Sequence, residues 1–176
     1  YGRVPSEMFK EKFEPMLLSV RSGAVFVMPG IFETAICVGF SPDVLEYLIN
    51  HRGLRAAYSA YLGFMESMGV SLGIARGEFE QITHAFMIEK HKSRWEELSG
   101  DDLVALAKLL KELFEREGVA DQYEALFQSP EKQLELFIDK VFESWNSPKA
   151  RRYRREKNIS DEWYTPVVVQ AYVFGD

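Results

Sequence analysis

The chain is poor in the residues that mark several functional classes: it has one cysteine, three histidines and no apolar run near the ~20 residues needed to cross a bilayer. The lone Cys37 cannot close an internal disulfide and has no second thiolate with which to build a metal site, which fits a reducing compartment. His51, His84 and His91 are too scattered to form a metal centre. No basic segment followed by an apolar one stands at the N-terminus, so nothing there reads as a signal peptide, and a cytoplasmic protein without a membrane partner is expected. A surplus of positive charge is also missing. The net charge of -6 argues against nucleic acid as a partner, because phosphate backbones are bound by clustered Lys and Arg. The local exception is Arg151, Arg152, Arg154 and Arg155.

What is present is the composition of a packed globular protein, with 47% hydrophobic and 27% charged residues and neither low-complexity tracts nor internal repeats. Short β-compatible runs stand near the two ends, Met16 to Val20 and Val167 to Phe174. Between them the apolar period is helical. Leu54, Ala57, Tyr58, Tyr61, Leu62, Met65 and Met68 form one stripe; Phe79, Ile82 and Phe86 form another. A third runs from Leu103 to Phe114, with Ser99 and Asp102 placed to cap its start and Gly118 to end it. The fourth, Leu134 to Trp145, follows Ser129-Pro130, a cap and first-turn pair, and Pro148 is expected to close it. The fold class expected is α+β, mainly α: a helical insertion carried on part of a sheet. Two strands alone are marginal, so the missing strands are expected outside the chain. The start at Tyr1 without a methionine and the stop at Asp176 after an apolar run suggest a chain cut from something longer.

The segment most suggestive of chemistry is Ser19 to Thr34, SVRSGAVFVMPGIFET. Arg21 at the end of an apolar strand, beside Ser22-Gly23 and Pro29-Gly30 turns, offers a guanidinium suited to phosphate oxygens. Gly30 would let backbone approach a ligand closely and Thr34 could add a hydroxyl. The plainer alternative is that Arg21 pairs with a core carboxylate and that Pro29-Gly30 is only a turn.

SVRSGA, then MPGIFET, then ESWNSPKARRYRREKNISDEWYTPVVVQAYVFGD resemble the corresponding stretches of pyruvate phosphate dikinases, in order and in separation. The resemblance runs from about Pro15 to Asp176 and includes the helical insertion, whereas phosphoenolpyruvate synthases share the VRS core but match less well beyond it. It implies an ATP-grasp nucleotide-binding region, with residues 1–40 and 158–176 as part of its sheet and 41–157 as the helical insertion. It implies ATP and Mg as cofactors of the intact enzyme, which passes the β-phosphoryl of ATP to a histidine on a swivelling domain that then phosphorylates pyruvate. That phosphohistidine domain and the remaining ATP-grasp subdomains are the implied partners; a homodimeric parent is left open. Arg21 carries over as an ATP-phosphate contact, the loop with Gly30 as site wall, and Thr34 as an accessory donor. Glu33, Tyr164 and Pro166 depart from the family pattern. The family's Gly-rich phosphate loop, its magnesium carboxylates, its adenine hinge and its nucleotide-site lysine have no counterpart in this sequence, so no catalytic residue and no metal ligand is assigned and the isolated chain is expected to be inactive.

His84 in ITHAF looks superficially like the family's phosphohistidine sequence but sits in a helical stripe without the Gly-Thr-Ser loop, and reads as structural. His51 and His91 fall near helix ends. The arginine run reads first as a solvated helix face and second as a phosphate-facing or docking patch. Trp145, Tyr153, Trp163, Tyr164 and Tyr172 read as packing, and Glu96-Glu97 and Asp101-Asp102 as helix-flanking groups. The competing reading is a noncatalytic helical module that binds a partner protein; it would be favoured by a buried Arg21–carboxylate pair and a large exposed apolar helix face.

Overall fold

A computed structural model describes residues 15–24 and 34–173. Within them, three strands, β1 (Leu18–Ser22), β2 (Ala35–Val38) and β3 (Val167–Ala171), form an antiparallel sheet in the order β2-β1-β3. Seven helices lie between β2 and β3: α1 (Pro42–Arg52), α2 (Leu54–Ser71), α3 (Arg76–Glu89), α4 (Gly100–Arg116), α5 (Ala120–Phe127), α6 (Pro130–Trp145) and α7 (Pro148–Glu156). A mainly helical α+β architecture is therefore what the sequence encodes. None of these helices is long and apolar enough to cross a membrane.

The helices begin and end where local chemistry dictates. Ser99 Oγ accepts a hydrogen bond from the Asp102 backbone amide and the Asp102 carboxylate accepts one from the Ser99 amide, a reciprocal cap for α4. The Ser99 hydroxyl also donates to the carboxylate at 2.7 Å, and this bond together with that from the Ser99 amide holds the Asp102 carboxyl below its ordinary range. At the far end Gly118 adopts φ 70°, the left-handed conformation that stops the helix without steric penalty. Ser41 and Ser147 cap α1 and α7, each followed by a first-turn proline. Pro148 thus opens α7; α6 has already ended at Trp145. Ser129, expected to cap α6 with its side chain, makes no such bond, although Pro130 takes the first-turn position.

The hydrophobic stripe of α2 lies at the centre. Tyr61, Leu62, Phe64, Met65 and Met68 are buried, and α2 packs against α1, α4 and β2. Each such side chain contributes about 1.5–3 kcal/mol on burial. Phe40, Tyr61, Phe64, Phe114, Tyr123 and Phe127 form an aromatic cluster in which the Phe114 and Tyr123 rings approach to 4.4 Å. The Tyr123 hydroxyl donates to that of Tyr61 at 2.8 Å, so neither phenol is buried without a partner.

Sheet and helices are joined by Gln133, fully buried at the start of α6. Its Oε1 accepts from the Gly39 amide at 2.9 Å; its Nε2 donates to the carbonyls of Phe40 (2.7 Å) and Leu126 (2.8 Å). One amide thereby satisfies three backbone groups from the end of β2 and the α5–α6 turn.

The strand Ala35–Val38 corrects the expectation that all further strands lie outside the chain. Its four residues sit between segments without clear β period, and the β1–β2 register shifts between Leu18 and Val20, with Cys37 at φ 57°. Burial pushes the Cys37 thiol up to about 12, partly opposed by a hydrogen bond from Tyr172. Burial likewise pushes Tyr61 up to about 12 and Tyr123 further in the same direction. In the unfolded chain these groups ionise at their ordinary values while the native state keeps their protons, so stability is intact below about pH 9 and falls as pH rises towards 12. Urea unfolding at pH 8 and pH 11 should differ by about 3 kcal/mol or more, with a smaller difference in Cys37→Ala. A flat profile would mean that these groups are not buried in solution.

Candidate functional site

β1 is the middle strand, held by β2 on one side and by β3 on the other, and successive side chains point to opposite faces. Val20 is fully buried, whereas Arg21, next in the strand and opposite Val168 on β3, is exposed. Among the described residues Arg21 pairs with no carboxylate. Its one hydrogen bond there is a long contact from Nη1 to the Ser22 carbonyl at 3.4 Å. A guanidinium on a fixed backbone with its donors turned to solvent is an arrangement ready to take an anion. Among the described residues the core-carboxylate pair posed as the alternative is not formed. Arg21 lies inside the strand, one position before its end.

The Ser22-Gly23 segment, expected as a flexible turn, is instead fastened. Ser22 Oγ lies 2.6 Å from Thr165 Oγ1 and accepts from the Ala24 amide at 3.2 Å; Thr165 Oγ1 in turn donates to the Pro166 carbonyl at 3.1 Å. The Gly23 amide reaches the same carbonyl at 2.8 Å. Thr165 is buried. A Cβ at Gly23 would stand 2.8 Å from Val168 Cγ2 and 3.1 Å from Pro166 Cγ, so any side chain here requires those two neighbours to shift. Pro166, one of the departures noted above, is accommodated by that glycine. Tyr164, another, is 84% exposed and leaves the crossing undisturbed.

Thr34 stands just before β2. Because Val20 pairs with Ala35, the register sets the Thr34 backbone level with Arg21. Thr34 helps line a cavity of about 330 Å³ with Val20, Ser67, Phe137 and Ser144, and Arg21 does not. Gly30, with the rest of the expected loop up to Glu33, lies outside the described residues. Of the three residues picked out by sequence, two are thus placed level with each other, Arg21 in β1 and Thr34 just before β2, without a shared cavity among the described residues. No group of three His, Cys, Asp or Glu converges there as a metal site.

The arginine run corrects its first reading in one member. Arg151, Arg152 and Arg155 are exposed, and Arg152 pairs with Glu156 at 2.9 Å, as on a solvated face. Arg154 is 2% exposed. Its Nη1 donates to the Trp145 carbonyl at 2.6 Å, its Nη2 and Nε meet the Asp161 carboxylate at 2.8 and 2.9 Å, and its guanidinium lies 4.5 Å from the Trp145 ring centroid. It ties α7 to the end of α6 and to the loop that leads into Thr165 and Pro166, and so supports the crossing beside Arg21. In sequence nothing sets Arg154 apart from its neighbours except its place on the Ala150 side of a short amphipathic helix. The aromatic group divides similarly: Trp145 is buried, while Trp163 and Tyr164 are exposed at 47% and 84%. His84 falls within α3, His51 in the last turn of α1 with Nδ1 at 2.8 Å from the Tyr47 carbonyl, and His91 just after α3.

The described residues thus form a small antiparallel sheet whose middle strand presents a solvent-facing arginine, with a helical lobe folded over its other face. No family model matches the chain. Comparison with known proteins is specific, however. The chain is 35% identical over 164 residues, 93% of its length, to the chloroplastic pyruvate, phosphate dikinase of Flaveria trinervia. It is 35% identical over 170 residues to the pyruvate, phosphate dikinase of Giardia intestinalis and 34% identical over 170 residues to that of Clostridium symbiosum, in both cases 96% of its length. By sequence the chain is a relative of the pyruvate, phosphate dikinases, aligned to one segment of them. It spans 17% of the length of the Flaveria protein and 19% of the other two.

Proposed function

We propose that the chain forms part of the ATP-grasp nucleotide-binding domain of a pyruvate, phosphate dikinase, with Arg21 as a direct contact to ATP phosphates. The observation that carries the reading is the solvent-facing guanidinium of Arg21 on a middle strand, paired with no carboxylate among the described residues, in a chain that aligns with dikinases over 93% of its length. In this reading residues 1–40 and 158–176 belong to the nucleotide-binding sheet and 41–157 to the helical insertion, with Gly30 and Thr34 in the wall of the site. Phosphoryl transfer is promoted by cations held on the phosphates, and one fixed guanidinium supplies part of that field. In this reading Mg²⁺, the phosphohistidine domain and the remaining nucleotide-binding parts belong to other segments of the enzyme. The chain by itself then positions phosphate without turning over. The partner-binding module finds less support: among the described residues the exposed large apolar groups on helices are Ile88 on α3 and Phe142 on α6, one to each helix, while Met16, Trp163, Tyr164, Val169 and Val173 lie near and on the sheet.

The test is a segment exchange. The chain replaces its aligned segment in the Clostridium symbiosum dikinase, and formation of the phosphohistidine from labelled ATP is followed. The expected result is measurable phosphorylation, reduced at least about 100-fold by Arg21→Ala, since loss of a charge-assisted phosphate contact costs roughly 3 kcal/mol or more. A folded exchange protein that is phosphorylated equally well with and without Arg21 would refute the assigned role.

A further inference from the structure

A groove between α1, α2, α4 and α5 takes no part in the nucleotide reading and lies on the helical lobe. It encloses about 350 Å³ and is floored by Leu45, Ile49, Tyr58, Val104 and Phe127. That volume is at the lower end of the range for small-molecule sites. Two lysines one turn apart on α4, Lys108 and Lys111, stand at its edge, both exposed. Among the described residues neither has a carboxylate within ion-pair distance, although Arg76, Arg116, Lys140 and Arg152 on other faces do. On a chain with net charge -6, the two ammonium groups set positive charge beside an apolar floor, with the Glu124 carboxylate acting on Tyr61 elsewhere in the lining. Opposite them, Glu46 on α1 also borders the groove.

We propose that this groove binds a small anionic amphiphile, a carboxylate with an aliphatic or aromatic tail. The tail lies on the apolar floor, where Tyr58 and Phe127 flank it, and the carboxylate meets Lys108 and Lys111 on the α4 side, away from Glu46. Burial of the tail supplies affinity; the lysine pair and the opposing glutamate fix orientation and reject neutral or cationic analogues. The groove is spatially separate from Arg21 and the proposal does not depend on the nucleotide reading.

Decanoate, titrated calorimetrically into the chain below its micelle concentration, is the probe, with decanol as the neutral analogue. The charge arrangement predicts saturable binding of decanoate that weakens as salt is raised, at least about tenfold weaker binding for K108E/K111E and tighter binding for Glu46→Gln, with decanol bound far less well. All the substituted groups are exposed, and circular dichroism verifies that each variant is folded. Equal affinity for decanol and decanoate, unchanged binding in K108E/K111E, or no saturable binding of decanoate would each overturn the proposal.

Discussion

Arg154→Ala should lower the unfolding free energy by about 2–4 kcal/mol, since it empties a packed volume and leaves a buried carbonyl without its donor. The guanidinium is 2% exposed and satisfies the Trp145 carbonyl, whereas Asp161 is 61% exposed. The loss therefore falls on the arginine side: the freed carboxylate can be solvated, but the carbonyl and the stacked indole cannot. That asymmetry holds the expected cost below the 3–5 kcal/mol typical when a fully buried ion pair is broken. Arg154→Lys should recover only part of it, because an ammonium cannot span the Trp145 carbonyl and the Asp161 carboxylate as a planar fork does. Arg151→Ala and Arg155→Ala, on the exposed face of the same helix, should stay within about 0.5 kcal/mol. Urea denaturation of the four variants checks the contrast; equal small effects throughout would return Arg154 to the solvated face.

Gln133→Met should be comparably costly, about 3 kcal/mol or more, although it preserves volume and adds apolar surface. Two backbone groups lose their partner at once, the Gly39 amide and the Phe40 carbonyl, while the Leu126 carbonyl keeps its bond from the Ser129 amide. Gln133→Glu separates donor from acceptor. It can still accept from Gly39 but sets a carboxylate against two carbonyl oxygens, so it should be no better than methionine at neutral pH. A glutamate variant as stable as wild type would show that the amide donor does not join sheet and helices.

The two sites differ in how far sequence announced them. The stripes of α2, α4 and α6 follow from period alone, and Ser99 with Asp102 and Gly118 set the ends of α4 because caps are local chemistry. Ser41-Pro42-Asp43 carries the same kind of signal for α1, but Leu48 is the one fully buried residue of that helix, so no apolar stripe reinforced it. β2 is four residues long with an irregular register, too short for alternation to show. Arg154 and Gln133 were hidden for a different reason. Their burial depends on groups distant in sequence, the Gly39 amide 94 residues from Gln133 among them, and no spacing rule encodes such a contact. Arg21 was legible as a candidate from its setting, and the strand alternation that turns it outward followed from the buried Val20 beside it; its distance from the Thr34 cavity did not.

Equilibrium binding of magnesium-ATP to the segment-exchanged Clostridium symbiosum dikinase, with Arg21, Arg21→Lys and Arg21→Ala compared, tests the central claim most directly. The account predicts binding with Arg21, weaker binding with lysine and a loss of at least about 100-fold with alanine, accompanied by a shallower salt dependence as one phosphate contact disappears. Equal affinity of the arginine and alanine proteins, both folded, would contradict it.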